Sequence, residues 1–469
     1  MNIGIDIDNV ISNFNEVLLD EFLKHDKTLR NTGIIDKEKY ITKGMFDWDE
    51  LEVKKFYDQI IEEVVINLDL IKDSKKYIDK LKEDGHKIVI ITGRNNGEYR
   101  DPYNMTTYWL KKHQIYYDKL VLTHSGKYDK YIECKNNDID IFIDDSENMC
   151  NECVKNGVHT LLFDTPYNKN NSHITRVRNW AEIYSYITNY KMKVILDTDT
   201  YNECDDQFAL AYLLKSNNKF DIEAITIAPY SNKVCNIIEG IEKSYKEVIK
   251  ISNYLNIDNK DKTYIGSNSY LNDNDFIVSD AAKKIIEIAL KNEKTYIIAI
   301  GALTNVASAI KMNPDIIKKI EVIWLGGHAL EYKDNLEFNF RQDIKAVQIV
   351  FESQVKLTIL PCEGVVRKLQ ITVNELNEKM VKNNLNSYLI ERFTNDGYQG
   401  KQFERPIWDI SAVAYLINRD WFKIEKINCP NIEENKSYNV NTSNHKINYI
   451  SDLNRELIYD DLFDKLNIN

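Results

Sequence analysis

Two segments of the sequence place several carboxylates directly after a short apolar run. In NIGIDID, at residues 2–8, Asp6 and Asp8 follow such a run. In VILDTDTYNECDDQFALAYLL, at 194–214, the acids are Asp197, Asp199, Glu203, Asp205 and Asp206. Grouped carboxylates repel one another and lose hydration unless a cation or a substrate proton compensates. Each segment therefore predicts a site for a metal ion or for acid–base chemistry, with a solvated strand end as the alternative for the first.

Further polar groups follow the first pair in an order that fits phosphoryl transfer. A strand-like run ends in Thr-Gly-Arg at 92–94, lysines follow at positions 127 and 130, and another run ends in Asp-Asp at 144–145. In this chemistry one carboxylate attacks phosphorus and a second handles the proton of the leaving group. Thr and Lys neutralise phosphate oxygens, and further acids hold Mg²⁺. The order of these groups predicts a site for phosphoryl transfer.

With these motifs in order, residues 1 to about 185 resemble the haloacid dehalogenase-like phosphatases. The nearest type is the 5'(3')-deoxyribonucleotidase, whose first motif often reads like DIDNVISNF in this chain. The resemblance implies that Asp6 is the nucleophile that forms an aspartyl-phosphate and that Asp8 is the general acid/base. It also implies that Thr92 binds phosphate and that Mg²⁺ is held by Asp6, Asp8, Asp144 and Asp145.

The sequence leaves two basic positions of this site open. Lys127 and Lys130 both lie in HSGKYDKYIECK. Lys130 is favoured as the phosphate-binding lysine, because an Asp-Lys pair before a short helix fits the related members better. Arg94 is either a surface charge after a turn or a contact to phosphate.

The second acidic segment stands at a predicted strand-to-helix junction, where clustered oxygen ligands suit Ca²⁺ or Mg²⁺. A plain acidic N-cap cluster is the alternative.

Residues 192–469 resemble the inosine-uridine type of nucleoside hydrolase, which cleaves the N-glycosidic bond of nucleosides with a Ca²⁺-bound water. The motifs that carry the resemblance are DTDTYNECDD, two residues longer than the usual form, APYSN at 228–232, IGALTNVASAI at 300–310, WLGG at 324–327, EFNFRQD at 337–343 and WDISAVAYL at 408–416.

This second resemblance implies roles around a ribose and a metal ion. Asp199 is the implied base for the attacking water. The implied calcium ligands are Asp199, Asp206, Asp409 and the carbonyl of Ile300. The implied ribose-binding residues are Asp205, Asn232, Glu337 and Asn339. Glu337 and Asn339 are expected on the 5' side and Asn232 on the 2',3' side, and a metal contact of Asp205 stays open.

One departure from the family pattern concerns the departing base. Many members have His directly before the late Asp as an acid for the leaving group, whereas this chain has Trp408. The base then either departs by stacking and protonation from solvent, or another acid such as His328 protonates it. For His328 itself, the interpretation as a loop histidine without a catalytic role is favoured.

Because the residues assigned to the 5' side include no cation, a 5'-phosphate is expected to be excluded. Dephosphorylation should then precede cleavage of the glycosidic bond.

Both halves of the chain show the same rhythm of short apolar runs and helix-like stretches. The runs typical of buried parallel strands are 2–8, 87–94, 139–146, 159–165, 192–200, 220–228, 295–305, 319–327 and 355–361. The rhythm predicts an α/β class with two Rossmann-like domains, the second with a mostly parallel sheet, and functional groups at the carboxyl ends of strands. Helical periodicity over 15–70 predicts a helical cap on the first domain. We expect the boundary near Tyr190, with a phosphatase or nucleotidase domain at 1–190 and a nucleoside hydrolase domain at 191–469.

Composition and charge limit the partners and the compartment. The formal net charge of −12 over 469 residues disfavours polynucleotides and favours small ligands such as nucleoside monophosphates and nucleosides. No apolar run approaches the roughly 18 residues of a membrane span, and the first residues lack the cationic start of a signal peptide, so we expect a cytoplasmic protein without membrane contact. Seven scattered cysteines predict a reducing compartment. The Cys150–Cys153 CxxC has no second pair, which favours a structural role over a zinc site.

The combined expectation is a bifunctional hydrolase that dephosphorylates nucleoside monophosphates and then cleaves nucleosides to base and ribose. Two alternatives stay open. Only one domain is active and the other binds a ligand or regulates, or the phosphatase acts on a different phosphomonoester. The sequence does not reveal the base, the choice between ribose and deoxyribose, or whether the second domain forms a homo-oligomer.

Overall fold

The chain folds into two α/β units, Met1–Tyr190 and Lys191–Asn469, each built around its own sheet. This computed structural model describes residues 1–468 except positions 96, 98, 125–126, 170–172, 273–274, 397–399, 402, 434–435 and 441–442. The predicted α/β class, with sheets that are mainly parallel, is confirmed. No helix in the described part of the chain is long and apolar enough to cross a membrane.

The first unit has a six-stranded sheet in which all neighbours are parallel. Its strands are β1 (Asn2–Ile5), β2 (Lys87–Thr92), β3 (Lys119–Leu122), β4 (Ile141–Asp144), β5 (Thr160–Phe163) and β6 (Thr175–Val177). Their order in space is β3-β2-β1-β4-β5-β6. The order reverses between β1 and β4, and in open α/β sheets ligands bind at such a point, outside the carboxyl ends of the strands.

Helices connect these strands and supply the predicted helical segment. They are α1 (Phe14–Leu29), α2 (Glu50–Asn67), α3 (Ser74–Glu83), α4 (Pro102–Lys112), α5 (Lys130–Asn136), α6 (Glu147–Lys155) and α7 (Trp180–Asn189). The buried residues of α1 are Phe14, Leu18, Phe22 and Asp26, which recur every four positions and so share one face. The helical periodicity of 15–70 therefore forms as α1 and α2.

The segment between α1 and α2 is anchored by a polar contact inside an apolar cluster. The ring of Trp48 stacks on Phe22 with centroids 5.0 Å apart, and its Nε1 donates to Asp26 at 2.8 Å. From the same segment, the ring of Tyr40 meets that of Tyr167 edge-on at 5.0 Å. Residues 30–49 thus reach the side of the unit where Tyr167 lies.

The second unit has an eight-stranded sheet of order β17-β20-β12-β11-β10-β7-β8-β9, in which only the β17–β20 pair is antiparallel among the described strands. Its strands, including three short ribbons outside the sheet, are β7 (Met192–Thr198), β8 (Phe220–Ile227), β9 (Thr263–Tyr264), β10 (Thr295–Ala299), β11 (Ile320–Leu325), β12 (Lys356–Leu360), β13 (Gln370–Thr372), β14 (Asn395–Asp396), β15 (Gly400–Lys401), β16 (Glu404–Pro406), β17 (Phe422–Asn428), β18 (Asn431–Ile432), β19 (Tyr438–Asn439) and β20 (Lys446–Leu453).

The helices of the second unit are α8 (Asp205–Lys215), α9 (Ile237–Tyr254), α10 (Asp280–Lys291), α11 (Thr304–Met312), α12 (Phe338–Gln342), α13 (Ile344–Glu352), α14 (Val373–Lys379), α15 (Asn384–Thr394), α16 (Ile410–Ile417) and α17 (Arg455–Asn467). Every residue of α16 is buried, and α8 is buried from Asp205 to Leu214. These two helices lie in the interior of the unit, which explains their continuous apolar sequence.

Several strands end earlier than the sequence predicts. The run 2–8 forms a strand only to Ile5, because the chain then turns and the backbone N–H groups of Ile11 and Ser12 both donate to the carbonyl of Ile7. In the same way β7 ends at Thr198, before Asp199. Asp6, Asp8 and Asp199 therefore lie beyond the strands, where their side chains do not follow the alternation of the sheet.

A buried charge cluster sits at the start of β11. Glu321 is fully buried, and one of its carboxylate oxygens lies 3.0 Å from Nζ of Lys294 and 3.1 Å from Nζ of Lys356. Removal of one member of a buried ion pair leaves the partner charge uncompensated, which costs about 3 to 5 kcal/mol.

We expect Glu321→Gln to lower the free energy of unfolding of the second unit by about 3 kcal/mol. Glu287, which is exposed and paired with Lys284 on α10, offers the matched control, and Glu287→Gln should change that free energy by less than about 0.5 kcal/mol. Hydrogen exchange of the β11 amides at increasing urea concentration measures the change in the free energy of unfolding for both variants. Equal effects of the two substitutions would contradict a stabilising role of the cluster.

Candidate active sites

The first site lies where β1 and β4 end, side by side. Asp6 follows β1 and Asp144 ends β4, so the parallel pairing brings the two carboxylates together. Nζ of Lys130 lies 2.8 Å from an oxygen of each. Lys130 is 4% exposed, whereas Lys127 is an exposed residue. Of the two lysines that the sequence left open, the structure brings Lys130 to this site.

Asp145 joins Asp6 and Asp144 in a group of three buried carboxylates whose oxygens all lie within 4.8 Å of one another. Burial raises the pKa of Asp6 to about 6, although the charge of Lys130 acts in the opposite direction. Burial and the charge of Asp144 raise the pKa of Asp145 to about 8. A divalent cation would relieve this cost, and carboxylates are ligands that Mg²⁺ takes in proteins. The residues present therefore fit a hard divalent cation.

Two residues that the sequence did not single out hold Asp145. Nδ2 of Asn9 donates to Oδ2 of Asp145 at 3.0 Å, and the hydroxyl of Tyr167 donates to the same oxygen. Asn9 has a φ of 61°, a conformation that Asn adopts more readily than most residues. Its place directly after the Asp-x-Asp pair was an available signal, whereas no motif marks Tyr167.

Asp8 lies outside this group of three. Its carboxylate accepts hydrogen bonds from Nε of Arg94 at 2.9 Å, from Nη2 of the same guanidinium, and from Oγ of Ser12 at 3.2 Å. Arg94 is 1% exposed, so its interpretation as a surface charge is wrong. The buried Oγ1 of Thr92 has no hydrogen-bond partner within the described ranges, which leaves it able to bind a substrate oxygen.

The second site contains another group of three buried carboxylates. Asp205 and Asp206 begin α8, Asp409 directly precedes α16, and their oxygens lie within 4.8 Å of one another. Neither helix start is capped by a hydrogen bond from its N-cap side chain. The arrangement therefore favours a cation site over the alternative of an acidic N-cap cluster.

The carboxylates of this group are costly to keep charged without a cation. Burial raises the pKa of Asp206 to about 7, and burial with the charges of neighbouring acids raises those of Asp205 and Asp409 well above the usual range. Beside the group, Asp199 is buried, and its Oδ2 has no hydrogen-bond partner among the residues that the structure describes. These all-oxygen donors fit Ca²⁺ or Mg²⁺.

Small residues of the strand ends let the loops approach Asp199. A Cβ atom at Gly301 would lie 2.8 Å from Cβ of Ala228 and 3.2 Å from Oδ1 of Asp199, so glycine permits this close approach after β10. Thr198 donates its hydroxyl hydrogen to Asp206. Both residues position the acids, a role that their types and spacing in the sequence do not indicate.

The structure also gathers Ile300, Glu337 and Asn339 here. Nδ2 of Asn339 donates to the carbonyl of Ile300 at 3.1 Å. Glu337 precedes α12 and accepts backbone N–H groups from Gly327, Asn339 and Phe340 at 2.8 to 3.1 Å. Burial raises the pKa of Glu337 to about 7. These residues line one cavity of about 430 Å³ together with Asp199, Asp205, Asp206 and Asp409.

Asn232 is not among the described residues that line this cavity. Its Nδ2 donates to Oδ1 of Asn202 at 3.2 Å, while its own Oδ1 accepts the backbone N–H groups of Val234 and Cys235. In this structure Asn232 closes a turn and touches the loop of the acidic motif. Its expected contact with the 2',3' side of a ribose stays a prediction.

Trp408 and His328 both line the cavity, and so do three arginines, Arg341, Arg367 and Arg405. Burial lowers the pKa of His328. Arg341 lies in the motif EFNFRQD, whereas Arg367 and Arg405 come from segments outside the motifs. The expected exclusion of a 5'-phosphate stays a prediction.

In a comparison with known proteins, each unit matches the model of a protein family. The model of the inosine-uridine preferring nucleoside hydrolases matches residues 194–457, and that of the cytosolic type C 5' deoxy (pyrimidine) nucleotidases matches residues 1–193. A nucleotidase of Clostridium acetobutylicum is 30% identical over 193 residues, which are 40% of this chain and 93% of that protein.

The second unit has more distant relatives. The pyrimidine-specific ribonucleoside hydrolase RihB of Shigella sonnei is 28% identical over 160 residues, 31% of this chain, and the match spans half of its own length. A solved plant nucleoside hydrolase superposes with a TM-score of 0.50 at 17% identity, over 60% of this chain and all of that one. The latter likeness concerns the fold.

Proposed function

We propose that two sites divide the breakdown of nucleotides in this chain, which belongs to two hydrolase families: the inosine-uridine preferring nucleoside hydrolases and the type C 5' nucleotidases. It is a bifunctional nucleotide-degrading hydrolase. Residues 1–190 release phosphate from nucleoside monophosphates, and residues 191–469 hydrolyse the N-glycosidic bond of nucleosides to base and ribose. The observation that carries the proposal is the presence of one buried group of three carboxylates in each unit.

In the first unit we assign Asp6 as the nucleophile. Its carboxylate attacks phosphorus, and the ester oxygen leaves as a nucleoside hydroxyl with a proton from Asp8. Water then attacks the aspartyl-phosphate, and Asp8 takes its proton. Lys130 and Thr92 bind the phosphate oxygens. The contact of the Asp8 carboxylate with Arg94 argues against direct binding of a metal ion by that carboxylate, and the acid/base assignment of Asp8 rests on the family resemblance.

Mg²⁺ is the cation proposed for this unit, held by Asp6, Asp144 and Asp145. When bound, it would neutralise negative charge on the phosphoryl oxygens. Asn9 and Tyr167 donate hydrogen bonds to Asp145 and so fix the orientation of its carboxylate for binding the metal ion.

In the second unit we assign Asp199 as the base that takes a proton from the attacking water. The ligands proposed for Ca²⁺ are Asp199, Asp206, Asp409 and the carbonyl of Ile300. Asp205 belongs to the same group of three, which supports a metal contact beside its ribose contact. When bound, Ca²⁺ would make a coordinated water more acidic. The surrounding carboxylates stabilise the positive charge that develops on the ribose in the transition state.

Glu337 and Asn339 are assigned to the 5' side of the ribose. For the departing base, Trp408 offers an aromatic face within the same cavity. His328 is the alternative proton donor, but its lowered pKa leaves the ring neutral near pH 7. This favours stacking on Trp408 with protonation by solvent.

A panel of nucleoside monophosphates and matching nucleosides, given to the full chain with Mg²⁺ and Ca²⁺, tests this division. We expect phosphate and free base from the monophosphates, and base alone from the nucleosides. Release of phosphate without base, or of base without phosphate, across the whole panel would support the alternative that one unit only binds a ligand. Release of phosphate only from other phosphomonoesters would contradict the nucleotidase assignment.

We infer a reducing compartment, the cytoplasm, from the seven cysteines, which are all free thiols. The charge of −12 supports small substrates over polynucleotides. A homo-oligomer through the second unit stays a prediction.

A further inference from the structure

The guanidinium of Arg94 in the first unit has a nitrogen that makes no hydrogen bond. Its Nε and Nη2 both donate to the carboxylate of Asp8, so this edge of the group is occupied. The third nitrogen, Nη1, is buried and has no hydrogen-bond partner among the described residues. A guanidinium is planar and carries five N–H groups in a fixed fork. The edge formed by Nη1 and Nη2, called the open edge below, is therefore available to a second acceptor.

A second polar atom without a partner lies close to Arg94 in the sequence. Oγ1 of Thr92, the last residue of β2, is buried and accepts or donates no hydrogen bond within the ranges that the structure describes. Buried polar groups in folded proteins are nearly always hydrogen-bonded, and each exception calls for an explanation. A ligand that accepts hydrogen bonds from both residues would supply it.

Packing holds Arg94 in place before any ligand binds. Its backbone forms a bridge with that of His124, and the backbone N–H of Asn95 donates to the carbonyl of Thr123 at 3.0 Å. The guanidinium carbon lies 5.8 Å from the ring centre of the buried Trp109. A side chain that is already ordered loses little conformational entropy when it binds a ligand.

The sheet places Arg94 beside the nucleophile of the proposed function. Asp6 follows β1, whose neighbours in the sheet are β2 and β4. Lys130 contacts Asp6 and the last residue of β4. Thr92 ends β2, and Arg94 follows two positions later. A phosphoryl group at Asp6 thus has Lys130 on the side of β4 and Arg94 on the side of β2.

The charges of this site balance before a phosphate arrives. Lys130 and the proposed Mg²⁺ would compensate the buried group of three carboxylates, and Arg94 compensates Asp8. The side chain of Asp8 is 22% exposed, so the site opens to solvent beside Arg94. A phosphate that enters there meets a site without excess negative charge. Because a guanidinium binds phosphate through paired hydrogen bonds, phosphate is the ligand that fits the open edge.

We propose that Arg94 binds the phosphate of the monoester through its open edge and holds Asp8 beside the ester oxygen through its other edge. The inference rests on the proposed assignment of Asp6 as the nucleophile. The phosphate is then bound by Arg94 together with Thr92 and Lys130. Because one rigid guanidinium contacts both Asp8 and the phosphate, it fixes the distance between the carboxylate and the ester oxygen.

Inhibition of the phosphatase reaction by inorganic phosphate, measured on the full chain with Mg²⁺, tests this contact. Arg94→Gln should raise both the KM for a nucleoside monophosphate and the inhibition constant of phosphate by about 10- to 100-fold. Arg94→Lys should restore part of the loss, because lysine keeps the charge but not the fork. Arg178, which is exposed and pairs with Glu182, offers the matched control, and Arg178→Gln should leave both constants unchanged. Unchanged constants in Arg94→Gln, or equal changes in both glutamine variants, overturn the inference.

A second measurement separates direct contact with phosphate from an effect that acts through Asp8. When Arg94→Gln is added to Asp8→Asn, both charges of the pair are gone, so no buried charge is left unpaired and the unit should stay folded. Calorimetric titration of inorganic phosphate into the full chain with Mg²⁺ should show an affinity about 10-fold or more lower in the double variant than in Asp8→Asn. Equal affinities overturn the direct contact. Because this titration needs no turnover, a lack of phosphate release by the unsubstituted chain would contradict the proposed function alone.

Discussion

Asp6→Asn is expected to lower the release of phosphate from nucleoside monophosphates by about 10⁴-fold or more, because it removes the proposed nucleophile. The amide has nearly the same size as the carboxylate. Lys130 keeps its contact with Asp144 at 2.8 Å, so the buried lysine stays paired and the unit should stay folded. Phosphate release with Mg²⁺, measured beside the circular dichroism of the variant, gives the result.

Asp58 on α2 offers the control for this substitution, because its carboxylate is exposed and pairs with Lys54 on the same helix. Asp58→Asn should retain phosphatase activity within about twofold. Full activity in a folded Asp6→Asn variant would show that another residue attacks phosphorus. Cleavage of nucleosides by the second unit should be the same in both variants.

Asp409→Asn is expected to lower the cleavage of nucleosides by about 10³-fold, since it removes one negative ligand from the group of three in the second unit. The loss of charge should weaken the binding of Ca²⁺, while phosphate release stays unchanged. Calorimetric titration of Ca²⁺ into the full chain, with Mg²⁺ in excess to fill the first site, measures the affinity. Release of free base measures the activity.

Excess Ca²⁺ should restore part of the activity of Asp409→Asn, because weaker binding is compensated by concentration. Asp464 on α17 is exposed and provides the matched control, with no expected change in affinity or rate after Asp464→Asn. Unchanged Ca²⁺ affinity in Asp409→Asn would remove Asp409 from the metal site. A chelator that removes both metals should stop both reactions in the unmodified chain.

Local sequence determined where the sites are and which kind of sheet carries them. Acids that follow apolar runs predicted that the sites lie at the carboxyl ends of β1, β4 and β7, because the carboxyl ends of parallel strands meet at one edge of a sheet. The helical periodicity of residues 15–70 predicted α1 and α2, because this pattern also depends only on residues that are close together in the sequence. The apolar pattern does not predict the edge strands β3 and β6, because these edge strands are short and only partly buried and so have a weak apolar signal.

Only the tertiary structure decided which side chains meet. The sequence favours Lys130 over Lys127 only through the family resemblance, and the folded chain brings Nζ of Lys130 to Asp6. Arg94 is buried against Asp8, and Arg341 enters a cavity whose other walls come from distant segments. Motifs and periodicity describe neighbours along the chain, whereas the energy of a charge depends on its burial and on the charges near it in space. Residues far apart in the sequence set that environment, so partners of this kind become visible only when the chain is folded.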